Sequence, residues 1–349
     1  MTRRLHPIHF LHNPSPDALP EDVGEFLRQL GGATLIVVEG RDNSRCRAIV
    51  TLLHGNEPSG AKAILRWLRS GERPAVKIIC LIASVQTALH GTLFRYRQIP
   101  GQRDMNRCFN PPFNDPPGHV ASHLIELLAH YQPEAVLDIH NTSGMSPAFG
   151  VVTYESTAHE ALVSLFTRRV IVTEYRLGSL MELSCDQQPV VTIECGGARQ
   201  PEADLIAEKG LQSYFFTDDV LQGEPGLVMD RYRRAVRFEL QPDCRIAYAD
   251  QPVLGVDLTI SLDVEKFNFA VIPALTRLGW LGPRGVSAFQ VLSANGENVL
   301  PQYFLSKSNG LYSAQQLKLF MVTTNPAIAQ SDCLLYACAE TEHEQCQSR

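Results

Sequence analysis

Apolar and polar residues recur along the first two thirds of the chain with two different periods. Short runs rich in β-branched residues predict strands over 33–39, 47–53, 76–82, 134–140, 149–154, 170–173 and 189–197. Between them, apolar residues spaced three and four apart, several behind acidic first turns, predict helices over 20–30, 58–69, 118–131, 157–168 and 201–221. The run Val76-Lys-Ile-Ile-Cys-Leu-Ile82 is nearly unbroken, as expected of a strand covered on both faces. Such alternation predicts an α/β domain with a mostly parallel or mixed sheet covered by helices.

The pattern changes near Gly223-Glu-Pro-Gly226. Beyond it lie short alternating stretches at 235–240, 245–248, 258–262, 317–322 and 334–337, with few convincing helices. The reading is therefore a domain over 1–223 and a second, smaller β-rich domain over 224–349, with a polar tail from Glu340. Residues 87–118 fit neither period and are dense in Arg, Pro, Gly and Asn. Loops of that length are usually functional or disordered.

Composition narrows the classes. The 349 residues suit about two domains, and 44% apolar against 19% charged is a soluble, globular balance. A net charge of −6 argues against a generic nucleic-acid binder. Arg3 and Arg4 are followed by no apolar run, so no secretory leader is expected, and no stretch is long enough to predict a membrane span. The nine cysteines are scattered, with no Cys-x-x-Cys, which fits reduced thiols in a cytoplasm. An assembly of identical chains is left open.

The chemistry gathers where the predicted strands end. Val50-Thr-Leu-Leu-His54-Gly-Asn-Glu57-Pro-Ser-Gly60 reads as a strand, a sharp turn and a helix opening at Pro58. A second strand runs into His140, and a third carries Glu194 into a glycine turn. Ligands of open α/β sheets bind at that edge. Catalytic zinc takes three protein ligands and keeps one open position, and His54, Glu57 and His140 supply the three. An unliganded carboxylate must then move the proton of an activated water, and Glu194 is the candidate. The loop between them, Arg95-Tyr-Arg97-Gln-Ile-Pro-Gly-Gln-Arg103-Asp104-Met-Asn106-Arg107, offers guanidinium forks for an oxyanion and an anionic substrate group.

His54-Gly-Asn-Glu57, Asp104-Met-Asn-Arg107-Cys-Phe109, Asp138-Ile-His140-Asn-Thr and Glu194 resemble, in order and rough spacing, the succinylglutamate desuccinylase/aspartoacylase family. The resemblance covers about residues 45–200 well and the β-rich tail loosely. It implies a zinc carboxypeptidase-like fold, with zinc (Zn2+) bound by His54, Glu57 and His140 and with Glu194 as general base and acid. It also implies that Asn106 and Arg107, joined by Asn141, hold the substrate, and that an upstream arginine polarises the scissile carbonyl. In relatives that arginine sits a few residues further before the Asp-x-Asn-Arg than Arg103 does, near Ile99 here. Either Arg97 or Arg103 must serve. Asp-Met-Asn-Arg looks like the desuccinylases, whereas Asp-Ile-His-Asn-Thr looks like the aspartoacylases, so these motifs leave the substrate open.

The expectation is a zinc-dependent amidohydrolase that cleaves the amide of a small N-acyl amino acid. A metallocarboxypeptidase-like peptidase and a non-catalytic metal- or ligand-binding protein are the alternatives. Other residues read more plainly. His119 and His123 lie one helical turn apart but lack the Glu of the helical zinc-protease motif. His6, His9 and His12 have no acidic partner in their segment. Cys195 ends an apolar strand and reads as core, as do Trp67 and Phe109. Asp138 either orients His140 or serves the strand end, and Asp104 either braces Arg107 or closes a turn.

Overall fold

The computed structural model describes residues 7–339; the expectations placed on His6, Cys346 and the tail from Glu340 lie outside them. The described chain divides into two units. The first holds residues up to Asn141, Ala148–Arg168 and Arg176–Leu227; the second holds Thr142–Pro147, Arg169–Tyr175 and the chain from Val228.

The first unit is α/β. Its strands are β1 (His9–His12), β2 (Thr34–Val38), β3 (Asp42–Thr51), β4 (Val76–Ile82), β5 (Val136–Thr142), β6 (Phe149–Val152) and, after a strand of the second unit, β8 (Val190–Gly197). They lie in the order β1-β2-β4-β3-β5-β8-β6. The sheet is mixed: β3 runs parallel to β4 and β5, whereas β2 is antiparallel to β4 and β6 to β8. The helices are α1 (Val23–Leu30), α2 (Ser59–Ser70), the short α3 (Val85–Ala88), α4 (Pro116–Tyr131), α5 (Thr157–Ser164) and α6 (Pro201–Phe216).

Central strands carry the apolar load. Every residue of β5 and β8 is buried, and in β4 only Lys77 is partly exposed. That is the mark of a sheet covered on both faces. Helix α6 stops at Phe216, short of the predicted 221, because its last carbonyls are taken by a wholly buried cation. Arg47 Nη1 donates to the Tyr214 and Thr217 carbonyls at 2.7 Å each. Its Nη2 donates to Asp218 O at 2.7 Å. Glu134, 2.6 Å from Arg47 Nε, balances the charge.

The second unit contains β7 (Arg169–Val172), which pairs in parallel with β9 (Asp230–Tyr232). Two five-stranded sheets complete it. One runs β13-β18-β19-β10-β15 and the other β11-β12-β14-β17-β16. Their ranges are β10 Val236–Leu240, β11 Ile246–Tyr248, β12 Leu258–Ile260, β13 Val271–Ile272, β14 Arg277–Leu281, β15 Phe289–Leu292, β16 Phe304–Lys307, β17 Gly310–Ser313, β18 Leu317–Phe320 and β19 Leu335–Ala339. Phe238 anchors its core, stacked on Phe289 at 4.4 Å and edge-on to Phe304 at 5.2 Å. The expected single break at 223/224 is too simple. The segment carrying β7 pairs with β9, and Asn268 donates to the Met145 carbonyl at 2.7 Å, so two earlier segments belong to this unit.

Candidate metal centre

The site begins where β3 ends. Leu52, buried, takes a left-handed φ of 60°, a conformation that costs a β-region residue on the order of 1–3 kcal/mol and concentrates at functional sites. It turns the chain out of the sheet and into His54-Gly55-Asn56-Glu57. Gly55 is required because a Cβ there would lie 2.8 Å from Ala88 N. Gly60 is required because a Cβ would stand 2.2 Å from Thr51 Oγ1, so α2 rests directly on the strand end. Helix α2 opens at Ser59, one residue later than expected, with Pro58 as its cap.

His140 was expected at the end of its strand; it lies inside, because β5 runs on to Thr142. Glu194 lies inside β8, which ends at Gly197 as expected. Their positions are correspondingly rigid. Glu57 faces both imidazoles: its Oε1 is 2.9 Å from His54 Nδ1 and its Oε2 is 2.7 Å from His140 Nδ1. The ligand atoms of the three residues lie within 4.8 Å of one another, and all three side chains are buried.

The outer nitrogens are held from behind. Asp104 Oδ1 lies 3.0 Å from His54 Nε2 in a hydrogen bond. Asp138 Oδ1 lies 2.8 Å from His140 Nε2, an ion-pair distance without hydrogen-bond alignment. Metal-binding histidines characteristically carry such a partner, which fixes ring orientation and tautomer. Thr192 Oγ1 donates to Asp138 Oδ2 at 3.1 Å, fixing that carboxylate across β5 and β8. Asp104 thus braces His54, not only a turn, and its second oxygen takes the Nε and Nη2 of Arg97 at 3.0 and 2.9 Å.

Electrostatics agree with a cation at this point. Four carboxyl groups, of Glu57, Asp104, Asp138 and Glu194, act on two imidazoles. Burial and Arg97 push the His54 pKa down, but Asp104 and Glu57 prevail and raise it. Burial likewise opposes charge on His140, yet Asp138 and Glu57 hold its pKa well above the ordinary value. Burial would raise Glu57; the two imidazoles outweigh it and lower it. Glu194 goes the other way. Burial, with the Glu57 charge adding to it against the pull of both imidazoles and Arg97, pushes it up to about 7. Its Oε2 is buried with no hydrogen-bond partner among the described residues. Several carboxyl groups converging on two imidazoles, one of them with an orphaned oxygen, are what a divalent ion and a reacting molecule would satisfy. The donor set of two imidazoles and a carboxylate fits zinc.

The remaining expected residues separate. Arg97 is brought in, with Nη1 3.8 Å from Glu57 Oε1. Arg103 is not. It forks onto Asp115 through Nε and Nη2 at 2.6 and 2.7 Å and donates to Pro112 O, tying the loop to the residue that caps α4. Asn106 accepts from Leu180 N at 3.0 Å, and its amide nitrogen stands 3.5 Å from His140 Nε2. Arg107 is half-buried and donates through Nη1 to Asn106 O at 2.8 Å. Asn141 was expected to touch substrate, but its side chain is used internally. It accepts from Ser59 N at 3.1 Å, capping α2, and donates to Ser59 Oγ and Gly196 O at 2.9 and 3.1 Å. Its backbone N–H meets Glu57 Oε2 at 3.2 Å. Sequence reasoning missed this clamp; the signal was an Asn directly after His140, opposite an uncapped helix start.

The mixed sheet presents a His-Glu-His trio able to hold a metal ion, with Glu194 acting on it electrostatically. Residues 47–213 match the Succinylglutamate desuccinylase/Aspartoacylase catalytic domain. That family comprises hydrolases of N-acyl amino acids. No curated protein matches the chain in sequence. Solved structures share its fold. A succinylglutamate desuccinylase from Silicibacter sp. TM1040 has a TM-score of 0.54 at 15% identity, covering 86% of this chain and 86% of that one. A succinylglutamate desuccinylase from Vibrio parahaemolyticus gives 0.54 at 15%, covering 84% and 81%. The product-bound ectoine utilization protein EutE from Ruegeria pomeroyi gives 0.52 at 14%, covering 87% and 88%.

Proposed function

We propose that the protein is a zinc-dependent amidohydrolase that cleaves the amide bond of a small N-acyl amino acid. One observation carries the reading: the orphaned, buried carboxylate of Glu194 acts electrostatically on the very trio that is able to hold a metal. A pure binding site has no use for that group. His54, Glu57 and His140 would hold the ion, which when bound supplies Lewis acidity and lowers the pKa of water from 15.7 to roughly 7.

The chain's own residues do the rest. Glu194 takes a proton from the attacking water and returns it to the leaving nitrogen. A carboxyl raised by burial suits both transfers, since general acid–base catalysis works best near the operating pH. Arg97, held by Asp104 with Nη1 turned toward Glu57, stabilises the oxyanion. Arg107 pairs with the substrate carboxylate, and Asn106 fixes the turn that presents it. Eight free cysteines among the described residues, seven of them buried, support a cytoplasmic setting.

The test is turnover of a panel of N-acyl amino acids by metal-verified protein and by Glu194→Gln. The variant should keep its zinc and lose roughly 10²–10⁴-fold in kcat, the usual contribution of a positioned acid–base group. Full activity in Glu194→Gln would overturn the assignment.

A further inference from the structure

Three segments meet at Asn141, and each passes close in sequence to a group of the candidate metal centre. Asn141 itself follows His140 on β5. Its Oδ1 accepts from Ser59 N at 3.1 Å, just beyond Glu57. Its Nδ2 donates to Ser59 Oγ at 2.9 Å and to Gly196 O at 3.1 Å, just beyond Glu194. Both hydrogens of the carboxamide are thereby used. Asn141 and Ser59 are buried, so these bonds are made away from water, where an unmade one is costly.

The clamp matters unequally to the groups it joins. The trio has side-chain supports of its own: Glu57 meets both imidazoles, and Asp104 and Asp138 stand behind them. Glu57 Oε2 also meets the backbone N–H of Asn141, a bond that any residue at 141 keeps. No side chain supports Glu194 in this way among the described residues, and its Oε2 has no hydrogen-bond partner there. The place of Glu194 therefore depends on the backbone of β8. That backbone leaves the extended conformation at Gly196, whose φ is 114°. Asn141 holds the carbonyl of that residue, and so ties the departure point of β8 to the neighbouring strand, directly after His140.

We propose that Asn141 is a positioning residue: its carboxamide sets the place of Glu194 against the metal ligands, while the ligands keep their geometry without it. Misplacing a reacting group by about 1 Å can cost on the order of 10²-fold in rate, so the clamp is read in kcat and not in metal affinity. The kinetic half rests on the role proposed above for Glu194; the structural half does not.

The experiment compares wild type, Asn141→Ala, Glu194→Gln and the double variant, all zinc-loaded. Chelator competition should give Asn141→Ala the zinc affinity of the wild type. Its kcat on the best substrate of the N-acyl amino acid panel should fall by roughly 10–100-fold, with KM little changed. In the Glu194→Gln background the same substitution should cost almost nothing, because two groups that act as one are not additive. Crystal structures of wild type and Asn141→Ala give a readout without turnover: Glu194 should move by about 1 Å while His54, Glu57 and His140 superpose. Should Asn141→Ala not fold, Asn141→Asp serves for kinetics and crystallography; its carboxylate still accepts from Ser59 N but cannot donate to Gly196 O. A zinc affinity that falls together with kcat, full additivity in the double variant, or an unmoved Glu194 overturns the proposal. Full activity in Glu194→Gln, or no turnover of the panel, counts against the proposed function instead, and the crystal structures then decide this proposal alone.

Discussion

The two halves of the candidate metal centre are built from different materials. His140, Asp138 and Glu194 sit on β5 and β8, strands buried along their whole length. On the other side, His54 follows a turn, and its brace Asp104 comes from an irregular loop and is shared with Arg97. The Asp138 side chain is wholly buried and that of Asp104 is 13% exposed. A strand-borne brace is fixed by the sheet. A loop-borne brace is fixed only by its partners, so it is the half through which the site can be adjusted.

The largest expected contrast lies within the loop. Arg97→Ala should lower kcat by roughly 10²–10³-fold, the usual loss of one oxyanion donor. Arg103→Ala, six residues on, should leave kcat nearly unchanged and lower stability by about 1 kcal/mol through its exposed pairing with Asp115. Steady-state kinetics and urea melts of both variants decide this. Equal kinetic losses would erase the distinction between them.

The strand-borne half should show itself in acid. His159 is buried between Ser156 Oγ at 2.7 Å and Ser184 Oγ at 2.8 Å, and Ser184 in turn accepts from Val190 N at the start of β8. Burial pushes the His159 pKa down to about 4. The unfolded chain, with an ordinary value near 6.5, therefore binds the proton first. Stability is full above about pH 6.5 and falls as pH drops toward 4, by on the order of 3 kcal/mol. Denaturant unfolding across that window should show this slope, and His159→Gln should flatten it.

The two braces give the finest contrast. Asp138→Asn and Asp104→Asn should each weaken metal affinity by roughly 10–100-fold. At saturating metal they should part. Asp138→Asn keeps a nearly normal kcat, whereas Asp104→Asn also releases Arg97 and loses kcat as well. Chelator competition alongside kinetics at high zinc separates the two.

How far the sequence could be read follows the same division. β4 was legible to the residue, because a seven-residue apolar run covered on both faces has few other homes. The grouping of His54, Glu57 and His140 was legible because their types and order are unusual together. The arginines were not separable, since Arg97 and Arg103 have the same chemistry and only the partner, Asp104 or Asp115, tells them apart. The internal partners of Asn141 were not legible, because nothing local shows that Ser59 and Gly196 lie against it. The strands from 271 to 313 escaped notice, since two- to five-residue segments hold too few alternations to stand out from loops.

The central claim is that one ion sits among His54, Glu57 and His140. Anomalous diffraction at the zinc edge from crystals of zinc-loaded protein tests it directly. The account predicts a single strong peak about 2 Å from Nδ1 of both histidines and from a Glu57 oxygen, with Asp104 and Asp138 still on the outer nitrogens. No peak there in stoichiometrically loaded protein, or a peak bound through Nε2 with those carboxylates displaced, would contradict it.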